Sequence, residues 1–176
     1  AAALGVVVLL GLGALVQPFT WDQAVFALGA ERVLAGGRLY VDYWDFKQPG
    51  IFWFFALAGR VFGMREVSVH LLELVWMLAL AVVIQRGSRA WLGASASAWA
   101  PLPVCGFYYA VAGSWHLLQV EGLVGLPLAL SLAAAWRAER GGRREWLSTR
   151  DSLFPGGMPA CRPRRGTLLV SASAWR

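Results

Sequence analysis

Four apolar runs organise this chain, and each is close to the length of a membrane crossing. Residues 1–16 are apolar almost throughout, and residues 67–84 are interrupted by His70 and Glu73 near their beginning. Residues 91–112 carry no acidic or basic side chain, and residues 117–136 hold one acid near their start, Glu121. A helix needs about 20 apolar residues to cross the hydrocarbon of a bilayer, so the pattern predicts an all-α integral membrane fold with about four transmembrane helices. The first run is shorter than a full crossing, and the expectation is that the sequence opens inside it. No basic stretch precedes it, so the expectation is a spanning helix that has lost its leading residues rather than a signal peptide. Pro101 and Pro103 predict a kink in the third run, which neighbouring helices can accommodate.

Between the first two runs, residues 17–66 form a long loop with its own signals. Thr20 and Gln23 have the spacing of a capping box, and residues 21–35 can continue as an amphipathic helix that Gly36-Gly37 stops. Asp22 then falls in the first turn, where the helix dipole favours an ionised carboxylate. An aromatic and acidic stretch, residues 40–45, leads to Lys47-Gln48-Pro49-Gly50. Residues 49–62 are apolar but too short to span, which predicts an interfacial or re-entrant helix against the outer leaflet. At the other end, residues 145–176 hold Pro155, Pro159 and Pro163 without a helical period. They read as an irregular tail, disordered or out of frame, after a partial transmembrane domain over residues 1–144.

Composition strengthens the membrane reading. Hydrophobic residues make up 58% of the 176 and charged residues 15%, too apolar a mixture for one small soluble core. The ten Trp suit the boundary between headgroups and hydrocarbon. A net charge of +6 would suggest nucleic acid in a soluble protein, but its distribution argues against that partner. In the loop, Asp22, Glu31, Asp42, Asp45 and Glu66 balance Arg32, Arg38, Lys47, Arg60 and Arg65. The excess lies at Arg86 and Arg89 and from Arg137 onward, with Arg140, Arg143 and Arg144, next to apolar runs. The positive-inside bias places both clusters in the cytoplasm. The first and third connections then lie outside, and Asp22 and Glu121 share the outer face. Cys105 and Cys161 are too few and too far apart for a disulfide framework or a metal site, and Cys105 reads as a packed thiol.

Each candidate for chemistry has a plainer alternative. Asp22 can serve as a general base toward an acceptor hydroxyl, or be a solvated first-turn acid. Lys47, just before the interfacial helix, can hold a lipid phosphate as a point charge, or simply snorkel. Glu121 is an acid at the start of a spanning helix, functional by default unless it sits outside the hydrocarbon. His70 and Glu73 share a helix face and read as a structural pair, since two ligands do not make a metal site. Tyr40, Tyr43 and Trp44 can stack on a sugar or rest among headgroups.

The stretch FTWDQAVFALGAERVLAGGRLYVDYWDFKQPGIFWFFALAGRVFG resembles the first outer loop of membrane-embedded GT-C glycosyltransferases. The subgroup it is most similar to is the bacterial dolichyl-phosphate-mannose-protein mannosyltransferase-like family, related to the aminoarabinose transferases. The features carrying the resemblance are Asp22, Gly37 to Tyr40, Tyr43 to Asp45, Lys47 to Gly50 and Phe62-Gly63; HLLELVWML and QVEGLVGLPLAL resemble family segments more weakly. The resemblance implies transfer of a sugar from a polyprenyl-phosphate donor, at the outer face of a bacterial plasma membrane, to a glycan, lipid or protein acceptor. Asp22 would be the catalytic base and Lys47 would approach the donor phosphate. Glu121, Asp45 and Tyr43 would support the site or the acceptor. No resident cofactor is implied, and a part for a divalent metal is left open. Many members have Asp-Glu where this chain has Asp22-Gln23, so the base rests on Asp22 alone. Members are also longer, which implies a fragment inactive by itself. A transporter or flippase for a lipid-linked intermediate, and a structural membrane subunit, are the competing readings; the internal repeat that a transporter often shows is not visible.

Overall fold

The computed structural model describes residues 2–153, with backbone only for Ser114 and residues 141–153. Among the described residues seven α-helices follow one another: α1 (Ala2–Ala14), α2 (Trp21–Leu34), α3 (Pro49–Phe62), α4 (Glu66–Ser97), α5 (Phe107–Val111), α6 (Gly113–His116) and α7 (Val120–Leu153), with a π-helical turn at Leu102–Gly106. Among the described residues there is no strand, only an isolated bridge between Leu39 and Tyr43. The chain divides into two units, residues 1–136 and 137–176. All side-chain geometry below belongs to the first; the second is described chiefly as helical backbone to Leu153.

Among the described residues two helices are long and apolar enough to cross a membrane, Glu66–Ser97 and Val120–Arg140 within α7. The expected crossings at 67–84 and 117–136 fall mainly within them. The expected crossing at 91–112 requires correction. Its first residues are the end of α4, which Gly93 breaks with φ 77° and ψ 176°, and its remainder is the π-turn and α5 after hydrogen-bonded turns at residues 98–101. Pro101 and Pro103 thus open a turn instead of kinking a long helix, because Pro lacks the N–H that would continue the preceding ladder. Arg86 and Arg89 accordingly lie inside α4 rather than in a connection between helices. The irregular tail expected from residue 145 is helical to Leu153, and its remaining residues, with Cys161, lie outside the described residues.

The loop helices form where the sequence places them. Gln23 Oε1 accepts the Thr20 N–H at 2.9 Å, closing the expected capping box at the start of α2. Pro49 fits the first position of α3, where a missing N–H costs nothing, and Gly63 ends that helix at φ 83°. α3 buries Ile51, Phe52, Phe54, Phe55, Ala56 and Ala58. Trp53, Leu57 and Val61, spaced by four, form an exposed apolar stripe suited to an interfacial helix.

Two apolar clusters hold the first unit together. One joins α2, α3 and the start of α4 around Phe26, Phe52, Phe55 and Val69, with Phe26 meeting both phenylalanine rings edge-on at 5.8 Å. The other joins α1, α4 and the π-turn around Val7, Met77, Ala81 and the buried Cys105. Gly29 permits the close approach of α2 to α3: a Cβ there would lie 2.5 Å from Phe52 Cδ1 and 2.7 Å from Tyr43 Cε1. Gly29→Ala is therefore expected to destabilise the fold by about 1–3 kcal/mol, the usual cost of overpacking. Thermal unfolding of the purified chain in detergent checks it; an unchanged midpoint would mean that the two helices separate freely.

Candidate functional site

Asp22 stands in the first turn of α2, between the two capping-box residues Thr20 and Gln23. Lys47 lies in the loop that leads into α3, and its backbone is held from two directions. Its N–H donates to Asp45 Oδ1 at 2.9 Å, and its carbonyl accepts the Tyr40 hydroxyl at 2.7 Å. Tyr40 itself sits at φ 67°, with its N–H donating to the Tyr43 carbonyl. A left-handed conformation in a bulky residue costs energy, and these bonds hold it in place. Tyr43 ties the loop to α2 by donating its hydroxyl to the Val25 carbonyl at 2.7 Å. Burial, and secondarily the Asp45 carboxylate, raise the Tyr43 pKa, so the phenol keeps the proton it donates.

This framework brings Lys47 Nζ to 3.8 Å from Asp22 Oδ2, with side chains 23% and 52% exposed. A pair so open to solvent contributes at most about 1 kcal/mol to stability. Both charges remain accessible, and a ligand can separate them at little cost to the fold. Asp45 and Tyr43 position the loop that carries Lys47. The indole of Trp21 stacks on Trp115 at 6.3 Å, and Trp44 and Phe46 stand exposed on the same loop.

Glu121 lies in the first turn of α7, exposed. The buried amide of Gln23 donates to the Leu117 carbonyl at 2.8 Å, so the start of α2 and the segment entering α7 meet at one end of the unit. Asp22 and Glu121 therefore flank the same junction. Among the described residues no hydrogen bond or ion pair joins Glu121 to Asp22 or Lys47. No group of three His, Cys, Asp or Glu able to hold a metal ion occurs among the described residues.

Two residues carry more than their spacing indicates. Gln23 both accepts from Thr20 and donates to Leu117, a double role that a carboxylate lacking N–H donors cannot fill. This gives a physical reason for glutamine beside Asp22. Gln23→Glu is expected to cost about 1–3 kcal/mol by setting an acceptor against the Leu117 carbonyl, read as a lowered unfolding midpoint at neutral pH. Equal stability of the two proteins would remove the amide from the account.

Glu73, fully buried, is the other. Its Oε2 meets His70 Nδ1 at 3.2 Å, the structural pair that the spacing predicts. Its Oε1 accepts the Tyr108 hydroxyl at 2.5 Å and the Leu118 N–H at 2.8 Å, linking α4 to two distant segments. Leu118 sits at φ 57°, which directs its N–H to this carboxylate and to the Tyr108 oxygen at 2.9 Å. The one sequence signal for this role was an acid inside an apolar run, which must find partners when buried; its distant partners have no local signature.

Comparison with known proteins finds no matching family model, no matching curated protein and no matching solved structure.

Proposed function

We propose that this chain is part of a membrane glycosyltransferase that takes a sugar from a polyprenyl-phosphate donor at the outer membrane face. The single observation that carries the reading is the approach of Asp22 and Lys47, 25 residues apart in sequence, to 3.8 Å. A carboxylate and an ammonium with accessible side chains are the two charges such a transfer uses. The sequence resemblance to GT-C transferases motivates the substrate class.

In the proposed reaction the acceptor hydroxyl gives its proton to the Asp22 carboxylate. Its oxygen forms a bond to the anomeric carbon as the bond from that carbon to the donor phosphate breaks. The polyprenyl phosphate leaves with the electron pair, and Lys47 counters its charge. General-base assistance and a fixed cation at the leaving group each lower the barrier. Glu121, at the same junction, is assigned to the acceptor side, with Asp45 and Tyr43 holding the Lys47 loop.

The test is transfer from a radiolabelled polyprenyl-phosphate sugar in membranes carrying the longer parent that the resemblance implies, with and without Asp22→Ala. Loss of transfer at equal protein level supports the assignment. Donor binding without transfer in the unmodified protein would favour a transporter or flippase, which holds the same headgroup and breaks no bond.

A further inference from the structure

The far end of α4 holds a second charged feature that the proposed transfer does not use. Arg86 and Arg89 are three residues apart and therefore share a helix face. After them, Gly93 turns the chain at φ 77° and starts a last short turn. That turn sets Ala94 and Ser97 across from the arginines. The result is a cavity of about 330 Å³ lined by Gln85, Arg86, Arg89, Ala94 and Ser97. The volume is at the lower end of the range for small-ligand sites, and four of the five lining residues carry polar side chains, two of them cationic. Among the described residues no acid forms an ion pair with either arginine.

The position of this cavity along the helix says what would fill it. Arg86 is 20 residues beyond Glu66, where α4 begins, which is about 30 Å of helix. That is the thickness of a bilayer's hydrocarbon, so a cavity at Arg86 opens in the headgroup layer opposite to the one beside Asp22 and Lys47. The indoles around it suit that depth. Trp91 is 70% exposed and meets Trp136 edge-on at 5.1 Å, and Trp99 is 53% exposed. Amphipathic Trp side chains collect at the headgroup boundary. Positive charge that merely orients a chain needs no cavity, whereas a planar guanidinium with an amide beside it binds phosphate oxygens through several N–H donors.

We propose that Gln85, Arg86 and Arg89, closed by the Gly93 turn, form a binding site for the phosphate of an anionic lipid headgroup at the membrane face opposite to the Asp22–Lys47 pair. The proposal rests on α4 crossing the bilayer and is independent of sugar transfer.

The experiment reconstitutes the full chain in phosphatidylcholine vesicles, titrates phosphatidylglycerol, and counts retained lipid by native mass spectrometry after extraction. Three variants are compared with the parent chain: Arg86→Gln/Arg89→Gln, Arg86→Lys/Arg89→Lys and Ala94→Phe. Each basic residue near an anionic surface contributes about 5-fold in affinity, so the double glutamine variant is expected to lose about 25-fold. Ala94→Phe keeps every charge and fills the cavity, and is expected to lose retained phosphatidylglycerol as well. The lysine pair is expected to bind more weakly than the parent and more tightly than the glutamine pair. Inorganic phosphate added to vesicles of phosphatidylcholine alone separates the two sources of the anion: saturable phosphate binding lost in the same variants would support the site with soluble phosphate as its occupant. Equal retention of phosphatidylglycerol and phosphatidylcholine by the parent chain, without phosphate binding, would overturn the proposal. So would an Ala94→Phe variant that binds like the parent, because charge alone would then account for the attraction.

Discussion

Asp22→Asn is expected to lower sugar transfer by about 10²–10⁴-fold, the contribution of a positioned general base. The substitution removes the proton acceptor and leaves the side chain's size and the capping box almost unchanged. Asp22 and Lys47 are both accessible, so loss of their contact costs the fold little. The expected phenotype is a collapse of kcat with an unaltered unfolding midpoint. Lys47→Ala separates the two roles: an ammonium that receives the donor phosphate affects donor KM as well as kcat, and Lys47→Arg, which keeps the charge, should recover part of the loss. An Asp22→Asn protein that transfers sugar at the parent rate would dismiss Asp22 as the base. Collapse of transfer together with loss of folding in Lys47→Ala would instead mark the pair as structural.

Glu73→Ala is expected to have the largest effect on stability, about 3–5 kcal/mol, the usual cost of removing one partner from a buried polar network. The substitution removes the acceptor for the Tyr108 hydroxyl and the Leu118 N–H and the partner of His70 Nδ1, all in a buried setting. It also leaves Leu118 in its left-handed conformation without the carboxylate that its N–H reaches. Glu73→Gln should cost less, because its amide oxygen can still accept from Tyr108 and Leu118. Two measurements check the account: thermal unfolding in detergent, and a double-mutant cycle with Tyr108→Phe. The cycle should show strong non-additivity, since both changes break the same bond. Additive effects, or a Glu73→Ala protein as stable as the parent, would remove Glu73 from the structural frame.

The sequence by itself determined the helices whose signals are local. The capping box at Thr20 and Gln23, the stop at Gly36-Gly37, and the limits of α3 between Pro49 and Gly63 all depend on backbone groups within a few residues of one another. Apolar length marked four segments, two of which fall mainly within the helices able to cross a membrane, and a spacing of three residues paired His70 with Glu73. The fate of residues 91–112 was not legible in the same way. An uncharged run is equally compatible with one long helix and with a helix broken at a glycine and followed by tight turns and a π-turn. The choice depends on Gly93 taking a positive φ and on the π-turn packing against α1 and α4.

For the candidate site, residue types were legible and proximity was not. Asp22 and Lys47 could be named from helix position and membrane depth, but their approach depends on Tyr43 reaching Val25 and Tyr40 reaching the Lys47 carbonyl. The reach of Glu73 to Leu118 spans 45 residues, and that of Gln23 to Leu117 spans 94. Hydrophobic period, caps and turns are properties of neighbours along the chain, so the sequence alone determines them. Buried polar groups must be satisfied by whatever the packed helices bring near, so only the tertiary structure decides their partners.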